Sequence, residues 1–204
     1  MTAPAIRVTG DDDADRLLSE DPLALLIGML LDQQVPVEWA FRGPLRLRER
    51  LGALDATRIA ALSPGELEAA FRQPPALHRF PAAMAKRTHA LCRHLVEHYD
   101  GEAARVWSDV GDGRALLGRL RALPGYGDEK ARIFLAVLAK RFGVRPPGWR
   151  EAAGRFSDDV PRSAADVDSP EALQRVRAFK RTQRARGKGK GDAVTGHPGR
   201  SPGP

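Results

Sequence analysis

Residues 123–131 read Leu-Pro-Gly-Tyr-Gly-Asp-Glu-Lys-Ala and lie between two helical runs. The chemistry this spacing suits is capture of a phosphate. Gly125 and Gly127 read as positions of positive φ and close backbone approach. Their amides, with Tyr126 between them and the amides opening the next helix, would form a concave donor cluster at the positive end of a helix dipole. Lys130, one turn into that helix, is a candidate phosphate contact. A plain helix–helix turn with cap glycines has the same local pattern, so the rest of the chain must decide between them.

Other ligand-bearing residues are sparse. Cys92 is the only cysteine, which excludes a disulfide or a thiolate metal cluster within one chain. It falls in a helical stripe, as a small core residue would. His94 and His98 have i, i+4 spacing, but no third carboxylate ligand is evident, and a solvated helix face is the simpler reading. The run Asp11-Asp12-Asp13 lacks the spaced ligands of a calcium loop and reads as the entry to a helix. No metal site and no cofactor is expected.

The elements that must position the glycines are mostly helical. Pro22 to Gln33 is apolar nearly all round, with Asp21 as its N-cap, and reads as a buried central helix. Val37 to Leu51 follows, with a break expected at Gly43-Pro44. Asp55 to Leu62 is short, and Ser63-Pro64-Gly65-Glu66 is a capping box opening a helix through Phe71. Pro81 to Tyr99 is long and amphipathic. Ala103 to Val110 and Arg114 to Ala122 lead into the hairpin, and Asp128 to Phe142 leaves it. Residues 143–168 read as irregular. Ser169-Pro170-Glu171 caps a last helix running to about Arg186. Ile6 to Thr9 is a weak strand candidate. The organisation expected is a lead-in over 1–20, a helical core over 21–186, and a disordered Gly/Pro-rich basic tail over 187–204.

The chain has 204 residues, 42% of them hydrophobic, enough for one good-sized core or two small lobes. Its net charge of +7 is unevenly spread. From Arg175 onward there are nine basic residues against Asp192 alone, so the rest of the chain is nearly neutral. Such a basic arm attracts polyanions without reading sequence, although a solubilising tail has the same composition. Arginine outnumbers lysine and alanine is abundant, as in proteins of high-GC bacterial genomes. No apolar run reaches membrane-spanning length, and the first residues have no apolar signal core. A cytoplasmic, nucleoid-associated monomer without membrane partners is expected.

Three segments together resemble the helix-hairpin-helix (HhH-GPD) DNA glycosylases, the group of endonuclease III and adenine glycosylase. Leu25 to Gln34, LLIGMLLDQQ, is similar to the apolar helix ending in glutamine that opens that core. Leu77-His78-Arg79-Phe80 and Lys86 to Leu91 fall where the family has its lysine-bearing helix after an aromatic. The hairpin follows at the family's distance. The resemblance covers about residues 20 to 160. It implies an all-α, two-lobed fold with a DNA-binding cleft between the lobes, duplex DNA as partner, and excision of a damaged or mispaired base. A DNA-binding protein of the same fold that has lost catalysis and recognises distorted DNA is the alternative.

Base excision builds positive charge on the deoxyribose, and a carboxylate near the anomeric carbon stabilises it. The family places an aspartate after the hairpin unit, at a spacing that falls here between Pro147 and Arg150, where there is none. Glu151 is the nearest substitute, although it would equally cap a short helix starting near Pro147 or Gly148, and Asp158 and Asp159 stand behind it. Members that also nick the strand carry a lysine two residues after the second glycine. That place is Glu129 here, so the resemblance implies a glycosylase without lyase activity. Asp128 and Glu129 also put negative charge beside the phosphate site. Gln33 and Gln34 would fill the gap left by an extruded base, and Trp149 would either stack on that base or pack in the core. The family's iron–sulfur cluster needs four cysteines, so none is expected with Cys92 alone.

Overall fold

The computed structural model describes residues 6–191. Within them lie ten α-helices and three 3-10 turns, and no strand. The helices are α1 (Asp12–Glu20), α2 (Pro22–Leu31), α3 (Val37–Leu51), α4 (Ala56–Ala61), α5 (Pro64–Arg72), α6 (Pro81–Tyr99), α7 (Gly113–Ala122), α8 (Asp128–Arg141), α9 (Trp149–Ala153) and α10 (Pro170–Gly191). The turns span Ala103–Val106, Gly154–Phe156 and Ala164–Asp166.

Local chemistry accounts for most boundaries. Asp11, Asp21, Asp55 and Asp112 each accept backbone amides at the start of α1, α2, α4 and α7. Ser63 and Glu66 close the expected capping box on α5, with Pro64 at its first position. α2 is buried at every position from Leu23 to Leu31 and packs against α1, α3 and α6. Each large apolar side chain buried in this way adds about 1.5–3 kcal/mol. Around it, α4 and α5 pack on α6, while α7, α8 and α9 pack on one another.

Several expectations need correcting. The lead-in belongs to the core: Ile6, Val8, Ala14, Leu17 and Leu18 are buried. Residues 6–9 form no strand, because their amides are spent on a side chain. Asp15 Oδ1 accepts the amides of Val8 at 3.1 Å and Thr9 at 3.0 Å. α3 runs unbroken through Gly43-Pro44. Gly43 faces α2 so closely that a Cβ there would lie 2.5 Å from Leu31 Cδ1. The helix expected over Ala103 to Val110 is only the 3-10 turn Ala103–Val106, and the stretch read as irregular contains α9. Finally, α10 continues to Gly191, beyond Arg186. The remainder of the tail, 192–204, lies outside the described residues.

Nor is the basic segment from Arg175 a free arm where it is described. Val176 is buried, Arg177 pairs with Glu38 of α3, and the Arg162 guanidinium lies over the Phe179 ring at 5.8 Å. α10 is thereby laid against the body of the protein.

Candidate functional site

The hairpin is held by its middle residue. Tyr126 is 4% exposed, its hydroxyl donates to the Leu26 carbonyl of α2 at 2.7 Å, and its ring meets Phe134 edge-on. Its amide donates to the Leu123 carbonyl at 3.0 Å. Tyr126 is therefore an anchor and not a phosphate donor, which corrects the reading of all three hairpin residues as one grip. The two glycines also divide. Gly125 has φ +84 and packs on Leu30, so a Cβ there would overlap Leu30 Cδ1. Gly127 has φ −74, and a Cβ on it would meet nothing within 4 Å. Gly127 is exposed at the N-cap of α8, which has no side-chain cap, so the first-turn amides of α8 face outward beside open space.

The acidic residues beside this mouth are neutralised. Asp128 pairs with Arg121, and with Arg132 at 3.0 Å, and these hydrogen bonds lower its pKa. Glu129 pairs with Arg155 at 2.5 Å. The negative charge that would disfavour a phosphate is thus covered by three arginines.

Lys130 points inward. Its Nζ donates to the carbonyls of Met29 at 2.7 Å and Leu30 at 2.8 Å, satisfying the C-terminal end of α2. It is a tie between hairpin and central helix, not the phosphate contact expected from the sequence. Burial pushes its ammonium down to about 8, against the attraction of Asp32. A lysine that titrates lower in the folded chain than in the unfolded one binds fewer protons when folded between about pH 8 and 10.5. Its contribution to stability therefore grows as pH rises through that window. The unfolding free energy of the wild type, relative to that of Lys130→Met, is expected to increase over the same range in denaturant titrations. A difference that does not change with pH would contradict this inward placement.

The segment after α2 gathers the remaining groups. Asp32 is its C-cap residue, and burial raises the Asp32 carboxyl above its ordinary value while Lys180 and Lys130 oppose the rise. The Gln33 side chain takes a hydrogen bond from Arg87, and its carbonyl accepts from His78 Nε2 at 3.0 Å. Gln34 is exposed, with φ 58. His78 is fully buried, and its Nδ1 accepts the Phe80 amide at 3.0 Å. Burial lowers the His78 pKa, in keeping with a neutral ring that donates at one nitrogen and accepts at the other. Phe80 itself is 42% exposed, beneath the Arg79 guanidinium. His78 and Phe80 went unread in the sequence as functional residues. An aromatic just before a helix-opening Pro81 was the available signal for Phe80.

Two cavities flank the hairpin. One, of about 560 Å³, is lined by Asp32, Glu129, Arg155, Phe156, Arg162 and, from α10, Lys180. The other, of about 730 Å³, is lined by Glu151 with Asp112, Arg114, Arg121 and Arg132. Glu151 is exposed on α9 and lies on the α7 flank. Asp158 accepts the Val160 amide and pairs with Arg162 at 2.6 Å, and Asp159 is exposed on the same loop. Trp149 is 9% exposed, packed where the start of α7 meets the 147–149 backbone and covered by Arg150. It is a core residue, the second of its two expected roles, and not a surface for stacking. The structure thus places Asp32 and Glu129 on one cavity, with Gln33 and Gln34 directly following Asp32 in the chain. It sets Glu151 and Trp149 apart from Gln33 and Gln34.

No helix among the described residues is long and apolar enough to cross a membrane. In comparisons with known proteins, the family model described as HhH-GPD superfamily base excision DNA repair protein matches residues 27–188. Neither the curated proteins nor the solved structures searched returned a match.

Proposed function

Because the chain belongs to the HhH-GPD superfamily of base excision DNA repair proteins, we propose that it is a monofunctional DNA glycosylase, acting as a monomer on a damaged or mispaired base in duplex DNA. The observation that carries this reading is the uncapped N-terminus of α8 at Gly127, open to solvent and flanked by the Asp32 cavity. A backbone phosphate would dock on the α8 amides, which would bring the adjacent nucleotide to the cavity mouth. Hydrolysis without strand cleavage is supported by the amines: Lys130 is spent on α2 carbonyls, and Glu129 with its Arg155 partner stands where a lyase would hold its lysine.

Extrusion of a base leaves a gap in the stack, and filling it with an aromatic recovers about 1–3 kcal/mol. Phe80 and Gln34, both exposed and linked through His78 and Gln33, are suited to that gap. Phe80→Ala is expected to weaken binding to a duplex with an abasic analogue by about tenfold. Binding to undamaged duplex should change far less, and thermal stability should hold. Equal losses on both duplexes would remove Phe80 from the gap.

The defining experiment incubates the protein with duplexes carrying uracil, oxidised purines or alkylated bases, with and without alkali. Excision revealed only after alkali is the expected result, together with no adduct trapped by borohydride. Binding without any excision would favour the non-catalytic reading. Gly127→Val tests the phosphate site: valine would fill open space without touching the fold, so the expected outcome is an unchanged melting temperature and at least tenfold weaker DNA binding. Undiminished binding would exclude Gly127 as the phosphate site.

A further inference from the structure

Glu151, the carboxylate nearest to the family's aspartate in sequence, is exposed in the cavity on the α7 flank, whereas Asp32 stands in the cavity that the hairpin and the segment after α2 share. We propose that Asp32 is the carboxylate that stabilises the sugar cation in this protein, a reading that rests on the excision activity proposed above. Four observations converge on it. Asp32 directly precedes Gln33 and Gln34, so a nucleotide displaced at those glutamines lies next to its carboxylate. It faces Glu129, two residues beyond the proposed phosphate site at Gly127, across one cavity of about 560 Å³, large enough for a nucleoside. The competing charges are already engaged: Glu129 with Arg155, Arg162 with Asp158, and Lys130 with the Met29 and Leu30 carbonyls. Asp32 is only partly exposed, and a partly desolvated anion gains far more from a nearby developing cation than a fully hydrated one.

The reaction balances with water alone. The bond from C1′ to the base nitrogen breaks, and its electron pair leaves with the base. The resulting oxocarbenium ion lies against the Asp32 carboxylate without forming a bond to it. A water oxygen then bonds to C1′, and its proton passes to Asp32. From Asp32 it goes to solvent, which supplies the equivalent proton to the departing base. The products are the free base and an abasic sugar carrying a hydroxyl. Lys180 of α10 and Lys130 of α8 are the cations whose fields act on Asp32 from the elements packed around it, and they help to hold it ionised for this role.

Two abasic-site analogues test the assignment without requiring turnover. Duplexes are prepared with a cationic pyrrolidine or with a neutral tetrahydrofuran in place of the sugar. Affinities are measured at one salt concentration for the full-length wild type, Asp32→Asn and Glu151→Gln. The expected result is a preference of wild type for the cationic duplex of at least about tenfold, erased by Asp32→Asn and retained by Glu151→Gln. The ratio of the two affinities cancels any general gain in DNA binding from removing a negative charge. Melting curves of Asp32→Asn check that the fold is intact. Should the variant unfold, the conservative Asp32→Glu, which keeps the charge, should keep the preference. A preference that survives Asp32→Asn, or disappears with Glu151→Gln, overturns the assignment, as does a wild type that does not distinguish the two duplexes. Absence of excision from every damaged duplex, with an Asp32-dependent preference intact, overturns the glycosylase reading and leaves Asp32 at the sugar.

Discussion

Gly125→Val is expected to unlatch the hairpin and lower the melting temperature by about 10 °C. Two effects add. The residue sits at φ +84, where a β-branched side chain is strained by about 1–2 kcal/mol. Its Cβ would also overlap Leu30 Cδ1, near the C-terminal end of a helix buried at every position from Leu23 to Leu31, and overpacking of that kind costs about 1–3 kcal/mol. A loss of about 3 kcal/mol in a domain of this size corresponds to roughly 6–12 °C. Because Tyr126 and Lys130 both reach α2 through the same junction, the hydrogen bonds to Leu26, Met29 and Leu30 should fail together. Thermal unfolding followed by circular dichroism measures the effect. The informative comparison is Gly127→Val, two residues away, where the same side chain should leave the melting temperature alone and abolish DNA binding. Similar stabilities for the two variants would refute the division of labour between the glycines.

Gly113→Ala should be nearly as damaging, although it adds a single methyl group. A Cβ at Gly113 would lie 2.6 Å from Trp149 Cα, 2.7 Å from Trp149 N and 2.7 Å from the Gly148 carbonyl oxygen. All three are backbone atoms, so no rotamer change can relieve the overlap, and α7 must move away from the 147–149 segment. That movement also threatens the hydrogen bond from the Gly113 amide to the Pro147 carbonyl, 2.8 Å long. Overpacking at the upper end of about 1–3 kcal/mol, plus about 1 kcal/mol for the bond, predicts a loss of about 3 kcal/mol. Denaturant titration should show a lower midpoint, with greater exposure of Trp149 in its fluorescence. If Asp32 is the working carboxylate, DNA binding by the folded fraction should survive this substitution, since Glu151 and Trp149 stand on the flank away from Gln33 and Gln34.

These two glycines mark how far the sequence could be read. Most features written within one helical turn were legible. The capping box at Ser63 and Glu66, the N-cap at Asp21, Pro at the first position of α2, α5 and α6, and the wholly apolar run of α2 all formed as their chemistry dictates. The all-α class and the family followed from those signals and from the order of three motifs. The short α9 was legible only as one of two readings of Glu151, because it is five residues long and opens at Gly148 without a side-chain cap. Asp15 carries no local signal for its role, which is to accept the amides of Val8 and Thr9 seven and six residues earlier.

The inward or outward course of an amphipathic side chain was not written locally. Tyr126, Lys130 and Trp149 each have an apolar body and a polar end, so the same residue suits a DNA contact or a core anchor. What decided between these was a carbonyl of α2 in reach of Tyr126 and Lys130, a hundred residues earlier in the chain, and the start of α7 pressed against Trp149. The candidate carboxylate changed for the same reason. Spacing after the hairpin pointed to Glu151, but Asp32, Glu129, Arg155, Arg162 and Lys180 come together from segments that no spacing rule connects. By itself the sequence determined where most helices start and that a glycine hairpin lies between two of them, because caps and periodicity act over three or four residues. Only the tertiary structure decided which glycine packs on α2 and which carboxylates line one cavity, because burial and charge are set by neighbours distant in the chain.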